Sequence, residues 1–172
     1  MKKIEVDPNE LEPLKDIIKT TSGTWTGLIS LSNCDSEKKF REQEVPIKDI
    51  PHPHTPTIDF CNDQKFTTED KVETRLILRS WYKEVGAKQL TNSMIYLPET
   101  LMRWHTNSDN PGVRRYYTFT RGDAWFAWVD EEGNVKYDKD NAGWTVREFK
   151  APIWHSIYTS QLRFSFGLLM DV

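Results

Sequence analysis

Cysteine is nearly absent. Cys34 and Cys61 are the only two, too few for a framework of bridges and spaced to match no zinc motif; they suit a reducing compartment. Histidine is scarce as well, so imidazole chemistry has only His52, His54, His105 and His155 to draw on. There is no basic excess. Lysine and arginine number 23 against 26 acidic residues, for a formal charge of -3, which leaves a nucleic-acid partner only a local patch and makes one not expected. No apolar run is long enough to cross a bilayer. The opening "MKKIEVDPNELEPLKDII" has two lysines but lacks the apolar stretch of a signal peptide. Glycine-rich phosphate loops, serine or cysteine nucleophile motifs beside a base, internal repeats and low-complexity tracts are all missing. These absences predict a soluble cytoplasmic protein with no membrane partner.

What remains is globular. The 172 residues fit one domain with one core, and 37% hydrophobic against 28% charged residues is an ordered composition. The first half, 1–89, predicts helical and strand support. "DPNELEPLKDIIKTT" reads as a short helix with Asp7 as N-cap, Pro8 inside it, and Leu11, Leu14, Ile17 and Ile18 at helical spacing. "GTWTGLISLS" reads as a strand, and "NCDSEKKFREQEVPIKDIPHPHTPT" as a polar, proline-studded loop with at most short ordered pieces. "TTEDKVETRLILRSWYKEVGAKQL" predicts a second helix, capped by Thr67 or Thr68 and ended by Gly86, with Val72, Leu76, Trp81 and Val85 as its apolar face. A strand at "RLILRSW" is the rival reading.

From residue 90 the pattern changes. Short aromatic and β-branched runs alternate with turns, and predict strands near Met94–Leu97, Leu101–Trp104, Arg115–Thr120, Trp125–Val129, Val135–Tyr137, Trp144–Phe149, Ser156–Thr159 and Arg163–Leu169. "DEEGN" marks a hairpin turn. Many short strands with no helix between them mean antiparallel sheets in a sandwich, jelly roll or barrel, here over 90–172.

Two histidines carry the functional reading. His52 and His54, in "PHPHTP", have no carboxylate or cysteine beside them, and a solvated loop explains them better than a metal. His105 and His155 each follow a tryptophan at a strand end. The latter leads into "SIYTSQLRFSFG", where Arg163 and Ser165 point the same way from one strand. An inward arginine needs an anion, and a small dicarboxylate would take its fork and the serine hydroxyl together. Two histidines with a carboxylate and a nearby arginine fit a non-haem iron centre with open coordination positions. The alternative is two hydrogen-bonded strand-end histidines and an arginine paired with an acidic residue.

"IYLPETLMRWHTNSDNPGVRRYYTFT" followed by "WHSIYTSQLRFSFG" resembles the double-stranded β-helix core of the Fe(II)/2-oxoglutarate-dependent oxygenases. Within that superfamily it is most similar to the prolyl-hydroxylase-like branch and its short phage and marine-virus members. The resemblance covers about residues 90 to 169. It implies a mainly β fold, a jelly-roll core with N-terminal helices packed on it, and the cofactors Fe(II) and 2-oxoglutarate. His105 and His155 would be iron ligands, Arg163 and Ser165 would grip the far carboxylate of 2-oxoglutarate, and Tyr96 would hydrogen-bond the same molecule. Trp104, Trp125 and Trp154 would wall the pocket, unless they are core. The family carries a carboxylate two residues after the first histidine, where this chain has Asn107; Asp109 is favoured modestly over Asn107 as the third ligand. Implied is hydroxylation of an unidentified substrate, which the family suggests to be a protein side chain such as proline.

Arg103, Arg114, Arg115 and Arg121 would ring the mouth, guiding an acidic substrate or a nucleic-acid backbone, although a solvated face balanced by Asp123 and Asp130 is the favoured reading. Two other functions compete. One is a degenerate β-helix domain used for structure or interaction, as in a viral component, which Asn107 favours. The other is a cupin-type binding protein or isomerase, for which "HPH" lacks both strand context and a glutamate.

Overall fold

A computed structural model describes residues 1–21, 36–46, 57–61 and 66–172. The strand expected over 23–32, Cys34, and the His52–His54 pair lie outside the described residues. Among the described residues, ten strands form two antiparallel sheets. The larger runs β1 (Lys2–Lys3), β8 (Gly143–Ala151), β5 (Gly112–Thr120), β10 (Arg163–Met170), β3 (Ala87–Tyr96) and β2 (Thr57–Asp59) in spatial order. The smaller runs β4 (Thr100–His105), β9 (His155–Thr159), β6 (Ala124–Val129) and β7 (Val135–Asp140). Between Ala87 and Met170 the chain crosses from one sheet to the other after β3, β4, β5, β7, β8 and β9 and stays in one sheet only for the β6–β7 hairpin. That interleaving of two antiparallel sheets is the double-stranded β-helix, or jelly roll.

Every strand expected from residue 94 onward is present. The core begins earlier than residue 90, because β3 starts at Ala87 and pairs with β10 down to Met170. The first half also contributes to the large sheet itself: β1 pairs with β8 at one edge and β2 with β3 at the other.

The first predicted helix is broken in two. Asp7 caps a 3-10 turn over Pro8–Glu10, accepting from the Asn9 N–H at 2.9 Å, and α1 then runs Glu12–Thr21. Pro13 has no N–H to continue the ladder through the join. After α2 (Ser36–Glu42), α3 spans Thr68–Glu84, with Thr67 as its cap accepting from the Asp70 N–H at 3.1 Å; the rival strand at "RLILRSW" is not formed. The expected face of α3 is corrected. Val72 and Leu76 are exposed, and the buried stripe is Thr74, Leu78 and Trp81. Trp81 decides the rotation: its indole meets the Tyr117 ring edge-on at 5.0 Å and donates to the Glu10 carbonyl at 2.8 Å, which only this facing allows.

β10 shows how the layers sort the residues. All eight of its positions are buried. Phe164, Phe166, Leu168 and Met170 join Leu14, Ile17, Leu78 and Trp81 in the core under α1 and α3. The alternate positions Arg163, Ser165, Gly167 and Leu169 face the small sheet. There Tyr116, Phe126, Phe149, Ala151 and Ile157 form a second cluster inside the sandwich. A third cluster of Phe40, Trp104, Ala127 and Tyr158 lies on the outer face of the small sheet, under α2.

An ion cluster ties β8 to β7 and β1. Arg147 donates to Asp138 at 2.7 Å and to Asp140 at 2.5 Å, over the face of Phe126, and Lys3 reaches Asp140 at 3.7 Å. Both Arg147 and Asp140 are almost fully buried. Asp140→Ala is therefore expected to cost about 1–3 kcal/mol, because it removes the buried half of the guanidinium's pairing and leaves Asp138 alone to hold it; chemical denaturation measures it, and a loss under about 0.5 kcal/mol would mean that solvent reaches the cluster. Among the described residues no helix is long and apolar enough to cross a membrane.

Candidate functional site

The site lies between the sheets, in a cavity of about 440 Å³. β4 ends on His105 and β9 begins on His155, and the two residues are register partners across the small sheet. Their rings stand 4.1 Å apart, tilted by 54°. Each ring is held by the same local device: Nδ1 lies 2.7 Å from the backbone carbonyl two residues earlier, Arg103 for His105 and Ile153 for His155. A carbonyl only accepts, so each Nδ1 carries a proton, and in the neutral ring that leaves the lone pair on Nε2. That tautomer and that backbone anchor suit metal-ligating histidines. Phe126 stacks on His155 at 5.6 Å and Phe149 tilts against it at 5.2 Å, which fixes the ring further.

Asn107 completes this group. Its φ of 57° places it in the left-handed region, which asparagine tolerates, and turns its side chain back toward the histidines. Its Nδ2 lies 3.2 Å from His155 Nε2 and 3.3 Å from the Tyr116 hydroxyl. Asp109 does not join them. It is exposed at the cavity mouth, and among the described residues no three histidine, cysteine, aspartate or glutamate side chains gather to hold a metal. The turn that folds Asn107 inward carries Asp109 outward two residues later.

Arg163 stands at the start of β10, 1% exposed, opposite Tyr96 on β3 and Thr120 on β5. Its guanidinium lies 5.0 Å over the Tyr96 ring, but Nε and Nη1 have no hydrogen-bond partner among the described residues. Ser165, next along the inward face, lines the same cavity. Burial pushes the Tyr96 phenol up from its ordinary value, opposed by Arg163, so Tyr96 is a neutral donor at physiological pH. Tyr116 is raised to about 12 by the same burial, opposed by Arg114, with Tyr96 raising it slightly and Arg163 lowering it. The cavity thus gathers His105, His155, Arg163, Ser165 and Tyr96, all expected from sequence, and replaces Asp109 by Asn107 beside the rings.

The tryptophan wall is corrected. Trp104 and His105 are neighbours on a strand and so face opposite ways; Trp104 belongs to the cluster under α2, and Trp125 and Trp154 pack against that cluster too. The inner wall is Tyr96, Tyr116 and Phe126 instead. The arginine ring is likewise dispersed. Arg103 and Arg121 are exposed, and Arg115 turns to the opposite face of the sheet from Arg114 and pairs with Glu148 at 3.0 Å. Asp123 and Asp130 pair with Lys139 and Lys136. Only Arg114 enters the cavity. Sequence reasoning missed Asn92, Tyr116 and Gly167. Counting in twos from Tyr96 and Arg163 reaches Asn92 and Gly167; a Cβ at Gly167 would collide with Asn92 Oδ1 and the Tyr116 ring, so glycine makes the room in which those side chains sit.

No family model matches the chain, and no curated protein matches it. Among solved structures, it is similar to the oxalate decarboxylase of Lactobacillus farciminis in its formate complex, at 27% identity over 44% of this chain and 21% of that one, with a TM-score of 0.33. The oxalate decarboxylase of Bacillus subtilis, described with Mn(II) centres, is 20% identical over 45% of this chain and 20% of that one, with a TM-score of 0.35. Peruvianin-I, a cysteine peptidase from Thevetia peruviana latex, is 16% identical over 46% of this chain and 48% of that one, also at 0.35. The chain therefore spans about a fifth of the length of the decarboxylases, and each likeness takes in less than half of this chain.

Proposed function

We propose that the chain is an Fe(II)- and 2-oxoglutarate-dependent dioxygenase. The observation that carries this is one cavity holding two imidazoles, each anchored through Nδ1 so that Nε2 is the donor atom, and, at one end, a buried guanidinium whose Nε and Nη1 are unpaired among the described residues. Arg147 is the internal comparison. Where the fold buries an arginine for structure it supplies two carboxylates; at Arg163 the described residues supply none, which fits a carboxylate brought by a ligand. The donor set suits a divalent transition metal. His105 and His155 give two imidazoles, and Asn107, with its carboxamide rotated to present Oδ1, gives a neutral third donor in place of the family's carboxylate.

Bound there, Fe(II) with 2-oxoglutarate supplies the oxidative decarboxylation to succinate and CO₂ that is coupled to oxygenation of a second substrate. The protein's own part is positioning. Arg163 and Ser165 hold the far carboxylate, Tyr96 donates to it as a neutral phenol, the backbone carbonyls of Arg103 and Ile153 keep both rings aimed, and Phe126 and Phe149 keep water from the imidazole faces.

Under anaerobic conditions the protein with Fe(II) and 2-oxoglutarate is expected to develop a visible charge-transfer band, and to release succinate when air is admitted. Asn107 favours a second reading, a dicarboxylate-binding β-helix module without turnover. That reading gains if 2-oxoglutarate binds with no band and no succinate.

A further inference from the structure

Three arginines are buried among the described residues, and Arg163 is not the only one lacking a carboxylate. Arg114, 3% exposed, lines the same cavity. On β5 it sits opposite Leu169 of β10, six residues along from the level of Arg163, or roughly 20 Å of strand. The Tyr116 phenol lies between them and feels both charges. Arg114 is thus rooted at the other end of the strand from Arg163.

Arg114 places Nε at 3.1 Å and Nη2 at 2.6 Å from the Asn110 carbonyl. This pins the turn that carries Asn107, but a carbonyl does not neutralise a cation. No ion pair to Arg114 is found among the described residues. Two further groups in this cavity are buried with no partner there: Asn92 Oδ1 and Thr91 Oγ1, both on β3. Asn92 Oδ1 accepts only, so it asks for an N–H or O–H. The outer cavity therefore offers a buried cation with no anion beside it and a buried acceptor with no donor, both among the described residues.

We propose that Arg114 and Asn92 form the recognition end of a second-substrate pocket, and that the substrate is a small carboxylic acid carrying an N–H or O–H donor, that is, an amino or hydroxy acid. A proline within a peptide has no carboxylate to offer Arg114. The proposal rests on the reading that Arg163 holds the cosubstrate, since that leaves Arg114 for the molecule to be oxidised.

The test is calorimetric titration of the common L-α-amino acids and their 2-hydroxy counterparts into protein saturated with 2-oxoglutarate and Fe(II) under nitrogen. At least one acid is expected to bind, with its primary amide about 30-fold weaker, as loss of a charge-assisted bond implies. Arg114→Gln is expected to remove that binding while 2-oxoglutarate still binds. Because Arg114 also braces a turn, Asn92→Ala is the second variant, with affinity expected to fall about 10-fold. Arg163→Met protein without 2-oxoglutarate separates the two readings, since an acid that binds there is using Arg114 alone. Failure of the wild type to bind 2-oxoglutarate, with acids still bound by Arg163→Met, would remove the cosubstrate reading and keep the outer pocket. No acid bound in either protein, or acid and amide bound alike, would overturn the outer pocket whatever 2-oxoglutarate does.

Discussion

Replacing Arg163 by methionine is expected to stabilise the unliganded protein and to destroy its affinity for 2-oxoglutarate. The two effects share one cause. A guanidinium that is 1% exposed, with Nε and Nη1 unpaired and no carboxylate beside it among the described residues, has lost its water and gained only the Tyr96 side chain there in return. Methionine fills much the same volume with no charge to desolvate, so the fold is expected to gain about 1–4 kcal/mol. Binding moves the other way. Without the fork there is nothing to receive the far carboxylate, and a loss on the order of 100- to 1,000-fold is expected. Urea denaturation and calorimetric titration read the two numbers on the same protein. A less stable variant with unchanged 2-oxoglutarate binding would mean that Arg163 is a structural residue.

The second large effect concerns the third donor. Asn107→Asp puts a carboxylate beside His155 Nε2 without changing the backbone, since aspartate also accepts the left-handed conformation found there. Exchanging a neutral amide for a charged oxygen is expected to tighten Fe(II) or Mn(II) binding by about 100-fold, by the same dependence on ligand charge that tunes other oxygen-donor sites. Asp109→Ala, at the exposed mouth, is expected to leave metal affinity within about 2-fold, in the range of substitutions away from a binding site. Metal titration under nitrogen checks both. The reverse order, with Asp109→Ala abolishing binding and Asn107→Asp silent, would return the third position to Asp109.

Legibility followed range. The strands could be read because alternation is local: "RFSFG" announces both its faces in five residues, and the sheets use one for the helical core and the other for the cavity. The histidine pair was readable as two strand-end residues. Their closeness was not, because it depends on β4 and β9 being neighbours across fifty residues of chain. The tryptophan error was avoidable, since the same alternation that turns His105 inward turns Trp104 outward. The α3 face was not avoidable. Val72–Leu76 and Thr74–Leu78 are equally spaced, and only the contact of Trp81 with Tyr117 and Glu10 chooses between them.

By itself, then, the sequence determined a β-rich jelly roll, two candidate imidazoles and an arginine that had to meet an anion, because periodicity and the cost of burying charge act on neighbours along one strand. Only the tertiary structure decided that Asn107 and not Asp109 sits beside the rings, that Arg114 enters the cavity while Arg115 leaves it, and that Asn92 waits opposite. Those outcomes depend on a single left-handed residue and on which sheet face looks inward, and both are set by packing between segments far apart in the chain.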